Sequence, residues 1–384
     1  MRRQLVVLAV VFLLSLSGRS AWGQAALYTV TDVGTLSGGT TSQAYGINAS
    51  GQVVGDAQTA SGDTHAFLYS TGAGITDLST LGGTNSYGRG INNAGSVVGF
   101  SQIGDNAGTH AFLHDGTMHD LGTFSGGTNS YAYAINNASP AQIVGGSDTA
   151  PGPSNGGTPG VGFGGHAASF SSGSNAPTDF GTLLGGTTSC AYGINTSGHV
   201  VGFSQTASGA NHAFLYYNSQ NVTDIGALLG GIGSCAYGIN DADHVVGYVQ
   251  TSSGANHAFL YKDGTAHDLG TVGSDTNSYA YGINNKDQIV GSSGTGDGER
   301  AFLDDSNGIT DLNSLIGTNS GWILDEARGI NDSGQIVGWG NFDGNIHAFL
   351  LTPVMVPEPS AIVLLGIGGV SLLAYGWRRR SRTA

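Results

Sequence analysis

Histidine and aspartate recur in this chain at two fixed positions, and both residue types can ligate a metal or hydrogen bond between strands. Six histidines begin the string His-Ala-Phe or a near copy, and Arg300 takes the seventh place: they are His65, His110, His166, His212, His257 and His347. Seven aspartates begin the string Asp-Leu-Gly-Thr-Leu or a variant: they are Asp32, Asp77, Asp120, Asp179, Asp224, Asp268 and Asp311.

Geometry favours a structural pair over a metal site. In a circular repeat, equivalent residues lie on different units and beyond ~10 Å from one another at the ~4.8 Å spacing of strands, whereas zinc needs ligand nitrogens at ~2 Å. Arg300 can still donate a hydrogen bond but does not ligate a metal. We therefore expect one buried His–Asp hydrogen bond per unit, with no metal and no other cofactor.

Two cysteines occupy one repeat position in adjacent units, Cys190 before Gly193 and Cys235 before Gly238. Export would permit a disulfide between them, although equivalent points on neighbouring strands often exceed the ~7 Å Cα limit for bridging. The sequence leaves the bridge open. No charged neighbour would activate either thiol, so we expect no catalytic nucleophile.

A third string sets the period of the repeat. Gly-Ile-Asn or Ala-Ile-Asn recurs every 44 to 59 residues, starting at Gly46, Gly90, Ala134, Gly193, Gly238, Gly282 and Gly329. A period near 44 matches the ~40–45 residues of a four-stranded propeller blade. In the second unit the predicted strands are 87–92, 96–100, 109–114 and 118–121, and no segment shows helical periodicity.

The chain starts on the aspartate string and finishes on the histidine string, which leaves half a unit at each end. We therefore predict an all-β fold over residues 26–353, a seven-bladed propeller in which strand 28–33 completes the last blade beside 327–331, 335–339 and 347–351. An open solenoid of three-stranded units is the alternative, and it would need distinct capping repeats.

Each Gly-Ile-Asn string ends in an asparagine, from Asn48 to Asn331. Its amide is expected to hold the following loop by bonding backbone groups two residues on. A ligand role for these asparagines would imply seven separate sites.

One unit is longer than the others because residues 147–165, rich in Gly and Pro, add about 15 residues between its second and third strands. That link is expected to share a face with the Gly-Gly-Thr loops, where Tyr87, Tyr131 and Tyr279 could stack on sugars. A tolerated surface insertion is the other interpretation.

Charge excludes one class of partner. Only five of the 12 Lys and Arg residues lie between residues 26 and 355, against 25 of the 26 Asp and Glu residues. So negative a surface repels phosphate backbones, and we expect no nucleic-acid binding.

The N-terminus predicts export. Residues 1–25 combine the basic pair Arg2 and Arg3 with an apolar core at 5–16, which is too short for a membrane span of ~20 residues. A signal peptide of this kind implies the export machinery and a signal peptidase as partners.

The C-terminus has three parts: a proline-containing segment at 354–360, an apolar run at 361–377 and a basic tail at 378–384. It resembles the PEP-CTERM sorting signal of Gram-negative bacteria, which implies processing by an exosortase-type membrane protease. The apolar run is predicted to be a transmembrane helix, with the arginines holding its end in the cytoplasm. An ordinary C-terminal anchor is the alternative. The residues that carry the resemblance are Val356, Pro357, Glu358, Pro359, Ser360, Arg378, Arg379, Arg380 and Arg382.

Taken together, the strings Gly-Ile-Asn, Val-Val-Gly, His-Ala-Phe-Leu-Tyr and Asp-Leu-Gly-Thr-Leu-Gly-Gly resemble the bacterial extracellular HAF repeat family over residues 28–351. The resemblance implies export and architecture but no reaction. Two units depart from it, at His166-Ala167-Ala168 and at Arg300.

These observations predict a non-enzymatic exported protein of the cell envelope, cell surface or extracellular matrix, transiently anchored by its tail, with exopolysaccharide or a surface protein as the candidate ligand. A polysaccharide hydrolase or lyase is the first alternative. Between residues 26 and 355 the only glutamates are Glu299 and Glu326, so such an enzyme would have to rely on Asp. A passive structural matrix protein is the second alternative.

Overall fold

The repeat folds into strands because each of its four segments buries the same positions. In the second strands Val-Val-Gly is wholly buried, and in the third strands Ala and Phe of His-Ala-Phe are buried. The computed structural model describes residues 27–150, 165–171, 173–218, 221–295 and 298–354, which form a seven-bladed β-propeller of four-stranded antiparallel sheets. This confirms the predicted fold class.

Four sets of strands build the blades, from the central channel outward. The inner strands are Ser42–Ile47, Gly82–Ile91, Ser130–Ile135, Gly185–Ile194, Gly233–Ile239, Asn277–Ile283 and Trp322–Ile330. The second strands are Val53–Gln58, Val97–Ile103, Ile143–Asp148, Val200–Thr206, Val245–Gln250, Ile289–Gly294 and Ile336–Phe342. The third strands are Thr64–Ser70, Thr109–His114, Gly165–Ser171, Asn211–Asn218, Asn256–Lys262, Glu299–Asp305 and Asn345–Pro353. The outer strands are Gly74–Asp77, Met118–Asp120, Ser174–Gly181, Asn221–Asp224, Thr265–Gly270, Gly308–Asp311 and, for blade seven, Tyr28–Asp32.

The two ends of the propeller close it as predicted. Tyr28–Asp32 pairs antiparallel with the third strand of blade seven, with Tyr28 opposite Pro353 and Asp32 opposite Phe349. Every sheet therefore has four strands, and the open solenoid is wrong. In blade two the third strand has the predicted bounds, whereas the inner strand begins five residues earlier than predicted, at Gly82.

Three short helices lie in the links between strands of the described residues, where none was predicted. They are the 3₁₀ turns Gly104–Asn106 and Leu312–Ser314 and the α-helix Ile225–Leu229. The Asp224 carboxylate caps the α-helix by accepting from the Ala227 N–H at 2.9 Å. Five residues are too few to show a helical period, which is why the sequence pattern missed it.

The core lies between neighbouring blades. One of its layers, for example, joins Val246 and Ala258 of blade five to Ala280, Ile289 and Phe302 of blade six. The glycine of each Val-Val-Gly lies against the inner strand, and a Cβ on Gly247 would come within 2.0 Å of the Cys235 carbonyl oxygen. The close approach of these two strands therefore requires glycine at this position.

A closed ring of asparagines joins the blades at one mouth of the channel. Each Asn of Gly-Ile-Asn is buried, and its Nδ2 donates to the backbone carbonyl of the equivalent Asn in the next blade at 3.0–3.5 Å. Its Oδ1 accepts from the following loop, as Asn48 does from the N–H groups of Ser50 and Gln52. The seven asparagines thus lie together at one mouth of the channel, so the expectation that a ligand role would require seven separate binding sites is wrong. The members of this asparagine ring are Asn48, Asn92, Asn136, Asn195, Asn240, Asn284 and Asn331.

Several predicted segments lie outside the described residues. These are the signal peptide at 1–25, most of the segment at 354–360, the apolar run at 361–377 and the basic tail at 378–384. Most of the link at 147–165 also lies outside them. Among the residues that are described, no helix is long and apolar enough to span a membrane.

Replacing Asn284 by alanine should destabilise the propeller. The change removes the bonds to the Asn331 carbonyl at 3.0 Å and to the N–H groups of Lys286 and Gln288 at 2.9 and 3.0 Å. Because each buried group left unpaired costs about 1–3 kcal/mol, we expect the free energy of unfolding to fall by roughly 3 kcal/mol. Urea unfolding followed by tryptophan fluorescence measures it.

The matched control is Asn345→Ala in an exposed hairpin, which should change the free energy of unfolding by less than about 0.5 kcal/mol. Equal effects of the two substitutions would show that the asparagine ring contributes no special stability.

Candidate functional site

The recurring histidine and aspartate lie side by side in six blades and join the third strand to the outer strand. The His Nδ1 lies 2.8–3.1 Å from the Asp carboxylate, and in blade seven His347 reaches Asp32 across the closure. In blade six Arg300 Nη1 lies 3.5 Å from Asp311. The described residues hold no group of three or more His, Cys, Asp or Glu side chains that could bind a metal ion.

The predicted burial of these pairs is wrong. In blade one the side chains of His65 and Asp77 are 21% and 42% exposed, because the pair lies where the short outer strand ends at the surface. The pairs therefore link strand ends in contact with water, where such a bond contributes little to stability.

Cys190 and Cys235 are free and buried, so the disulfide left open by the sequence is absent. Each Sγ turns back to its own strand, towards the carbonyl oxygens of Ala191 at 3.9 Å and Ala236 at 3.7 Å. Burial raises the pKa of the Cys190 thiol to about 12, and such a thiol is a poor nucleophile.

A β-bulge at the same point of every inner strand turns one side chain into the channel. The pairing register shifts across this residue in each blade, as between Ala44 and Gly46. A bulge re-aims the side chain of the extra residue. The seven bulged residues are Tyr45, Arg89, Tyr133, Tyr192, Tyr237, Tyr281 and Arg328, and we call them the tyrosine–arginine ring.

Members of the tyrosine–arginine ring contact their neighbours and fill the channel. The Tyr192 ring centroid lies 4.9 Å from that of Tyr133 and 5.5 Å from that of Tyr237. The Arg328 guanidinium lies 3.6 Å from the centroid of Tyr281. These contacts are aromatic and cation–π interactions, so the middle of the channel is packed and is a poor candidate for a binding cavity.

Each arginine of the ring has a carboxylate partner beside it. Arg89 Nη1 lies 2.6 Å from Asp56 Oδ2, and Arg328 forms an ion pair with Glu326. Burial raises the pKa of the Asp56 carboxyl group, and the Arg89 guanidinium opposes that rise. The pairing places a carboxyl group beside each buried arginine, which offsets part of the cost of burying its charge.

Three acidic side chains meet at the junction of blades six and seven. A second bulge in the inner strand of blade seven inserts Asp325 before Glu326, and Glu299 lies within hydrogen-bonding reach of Glu326. Burial raises the pKa of Glu326 to about 7, which Arg328 opposes and Glu299 reinforces. Burial, with Glu299 nearby, also raises the pKa of Asp325 to about 6.

Sequence reasoning missed this acidic junction, because the two glutamates are far apart in the chain and in different blades. A raised carboxyl pKa suits a general acid. Glycoside hydrolysis uses two carboxyl groups held ~5–9.5 Å apart on either side of the bond that breaks. The Glu326 side chain is only 16% exposed and lies beside Arg328, so the junction gives a polysaccharide little access.

The links from second to third strands and from outer to inner strands share one end of the propeller, here called the upper face. Thr84 Oγ1, near the start of the inner strand of blade two, lies 2.9 Å from Asn106 Oδ1 in the link from the second to the third strand. On this face Tyr87 and Tyr279 are partly exposed, but Tyr131 is 3% exposed and packs edge-on against Phe100. The prediction that Tyr131 could stack on a sugar is therefore wrong.

A pocket opens on the upper face of blade five, and we call it the blade-five pocket. Asn211 reaches it from blade four, and blade five supplies the other walls. None of its side chains is charged. Its lining is Asn211, Ile232, Gly233, Ser234, Tyr248, Gln250 and Asn256.

Comparison with known families locates one motif at the C-terminus. Residues 356–380 match the PEP-CTERM protein-sorting motif, as predicted. Such a motif implies an exported protein, directed to the cell envelope or surface and processed by exosortase, a membrane protease.

Residues 230–347, less than half of the chain, match a family described as "Protein of unknown function (DUF3466)". The resemblance to HAF repeats stays a prediction. No curated protein matches the sequence.

Among solved structures the chain is similar to other proteins at low identity. A gluconolactonase from Xanthomonas campestris is 10% identical over 86% of this chain and 92% of its own, with a TM-score of 0.40. TolB from Acinetobacter baumannii is 11% identical over 79% and 80%, with a TM-score of 0.41. The Aleuria aurantia lectin is 13% identical over 83% and 97%, with a TM-score of 0.37. Similarity at this level says nothing about the ligand or reaction of this chain.

The acidic junction should make stability depend on pH. Because the pKa of Glu326 is raised to about 7 from an ordinary 4.5, its contribution is full below pH 4.5 and is lost as the pH rises through 7. Glu299→Gln removes a neighbour that raises this pKa. We expect the variant to be more stable than the parent by about 1 kcal/mol at pH 8 and unchanged at pH 4.5, measured by urea unfolding.

Asp343→Asn, in an exposed turn where asparagine tolerates the positive φ of 50°, is the control for removing a carboxylate elsewhere. A Glu299→Gln profile that runs parallel to the Asp343→Asn profile from pH 4.5 to 8 would contradict the coupling.

Proposed function

We propose that the chain is an exported, exosortase-sorted propeller that binds polysaccharide through its upper face and has no catalytic activity. The observation that carries the proposal is the sorting motif at residues 356–380 directly after a closed propeller. In this proposal residues 1–25 are the signal peptide and 361–377 anchor the chain until exosortase acts. The resemblance of the repeats to the HAF family agrees with an extracellular place.

The composition of the propeller supports a neutral polysaccharide as the ligand. With 25 acidic and five basic residues between 26 and 355, the propeller repels anionic chains as it repels nucleic acid. The blade-five pocket offers amide and aromatic side chains, which suit hydroxyl groups and the apolar faces of sugar rings.

A polysaccharide hydrolase is the second candidate, favoured by the raised pKa of Glu326 in the acidic junction. The burial of the Glu326 side chain beside Arg328 speaks against it. Incubation of the chain with polysaccharide distinguishes the two candidates. We expect no new reducing ends, whereas chain cleavage that is lost in Glu326→Gln would establish the enzyme.

Sorting should require the Pro-Glu-Pro segment. We expect a Gram-negative host that carries an exosortase to process the full chain and expose it at the envelope. In the same host, the variant with alanine at Pro357, Glu358 and Pro359 should keep its tail at least tenfold more often. Immunoblots of cell fractions, with the same host lacking exosortase as control, measure the retained tail. Equal processing of both chains would contradict sorting through this motif.

Binding should accompany sorting. The exported chain is expected to co-sediment with neutral exopolysaccharide and to remain soluble with a polyanionic one, at low salt where charge repulsion is strongest. Absence of binding to every polysaccharide, with the propeller folded, would favour the passive matrix protein instead.

A further inference from the structure

We propose that the blade-five pocket holds one neutral pyranose ring, a proposal that rests on the proposed polysaccharide binding and names its site. The pocket has a volume of ≈ 270 Å³, just below the ~300–1,000 Å³ of sites for drug-sized ligands, so it suits a ligand no larger than one small ring.

A single glycine creates the pocket. In three other junctions the first N–H of a third strand donates to an asparagine side chain just before the buried serine of the next inner strand. These bonds run from Thr64 to Asn85 at 2.9 Å, from Thr109 to Asn129 at 3.2 Å and from Asn256 to Asn277 at 2.9 Å.

At the junction of blades four and five, Gly233 takes the place of that asparagine. It precedes Ser234, which accepts from the Ala213 N–H at 2.9 Å as the equivalent serines do in other blades. The register of this junction is thus the ordinary one, but the side chain that would cover Asn211 is missing. A Cβ on Gly233 would meet only the Asn211 carbonyl oxygen, at 3.5 Å.

The polar side chains of the pocket are neutral, and Asn256 is held in place with only part of its hydrogen-bonding capacity satisfied. Asn256 is fixed by the bond from its Nδ2 to Tyr279 Oη at 2.6 Å, while its Oδ1 is buried without a hydrogen-bond partner among the described residues. Whichever way the amide is oriented, Tyr279 can satisfy only one end of it. A buried oxygen without a hydrogen bond is costly. Because Asn256 lines the pocket, a rotation of its amide toward the pocket would let a ligand hydroxyl group donate to that oxygen.

The apolar side of the pocket suits a sugar ring. Tyr248 is held edge-on against Tyr279, with ring centroids 5.3 Å apart. Ile232 is 57% exposed at the mouth, an unusual exposure for a large aliphatic side chain. Aromatic and aliphatic surface beside amide groups fits a pyranose, which has C–H faces and hydroxyl edges. A charged sugar would meet no opposite charge here, since no lining side chain is cationic.

The test compares two asparagine substitutions in the full chain kept in detergent. Gly233→Asn restores the side chain found at Asn85, Asn129 and Asn277, so it should fill the pocket and leave the propeller folded. Thr188→Asn places the same side chain at the equivalent position of blade four and is the matched control. Saturation-transfer NMR with the methyl pyranosides of glucose, galactose and mannose measures binding, with glucuronate as the charged probe.

We expect the parent chain and Thr188→Asn to bind at least one neutral pyranoside, glucuronate to bind at least tenfold more weakly, and Gly233→Asn to lose at least tenfold in affinity while keeping its Tm. Polysaccharide binding that Gly233→Asn leaves intact would overturn the pocket and leave the proposed function standing. Pyranoside binding without polysaccharide binding would support the pocket and overturn the proposed function. No binding of either would overturn both.

Discussion

The seven amide groups of the asparagine ring constrain everything else in the molecule. Each one donates to the next blade and accepts from its own loop, and the last bond, from Asn331 to Asn48, joins residues 283 positions apart. The strand Tyr28–Asp32 closes the same circle at its outer edge. Because the ring and the strand fix the blades at one spacing, the bulged side chains meet on the axis and fill it. The links on the upper face, by contrast, differ in length and sequence from blade to blade.

Chemistry in this fold lies where a repeat departs from its own pattern. The same pattern of buried positions is repeated in all seven blades, so one substitution can change the junction between two blades without changing the blades themselves. Gly233 opens a pocket where three other junctions carry asparagine. Glu326 replaces the aromatic, cysteine or glutamine residue of the other inner strands, and with Glu299 and the inserted Asp325 it makes the acidic junction. The first departure produces a neutral pocket that opens on the upper face, and the second produces a largely buried cluster that contains an ion pair. Because only the first is both neutral and open, we assign ligand binding to it.

Much of the architecture could be predicted from the sequence because its signals are local. A period near 44 residues, Val-Val-Gly, and half units at each end predicted the blade number and the closure by strand 28–33. The contacts that depend on exact register could not be predicted. Asn48 was expected to hold its own loop, which it does, but its bond to Asn92 requires the next blade at a particular height. The approach of Glu326 to Glu299 depends on a β-bulge in the inner strand of blade seven. The exposure of His65 depends on the point at which a short outer strand ends. In the sequence, Gly-Gly-Ile-Gly at residues 230–233 stands where other units have Gly-Gly-Thr-Asn or Gly-Gly-Thr-Thr, but only the fold shows that Gly233 borders a pocket.

Because the asparagine ring is closed, the seven blades should unfold as one cooperative unit. Native-state hydrogen exchange of the full chain tests it most directly, through the amides that donate to the ring, such as those of Gln52, Gln288 and Gln335. We expect these amides to exchange with one common free energy in every blade, equal to that of global unfolding. A ladder of protection that falls blade by blade from one end of the chain would contradict it.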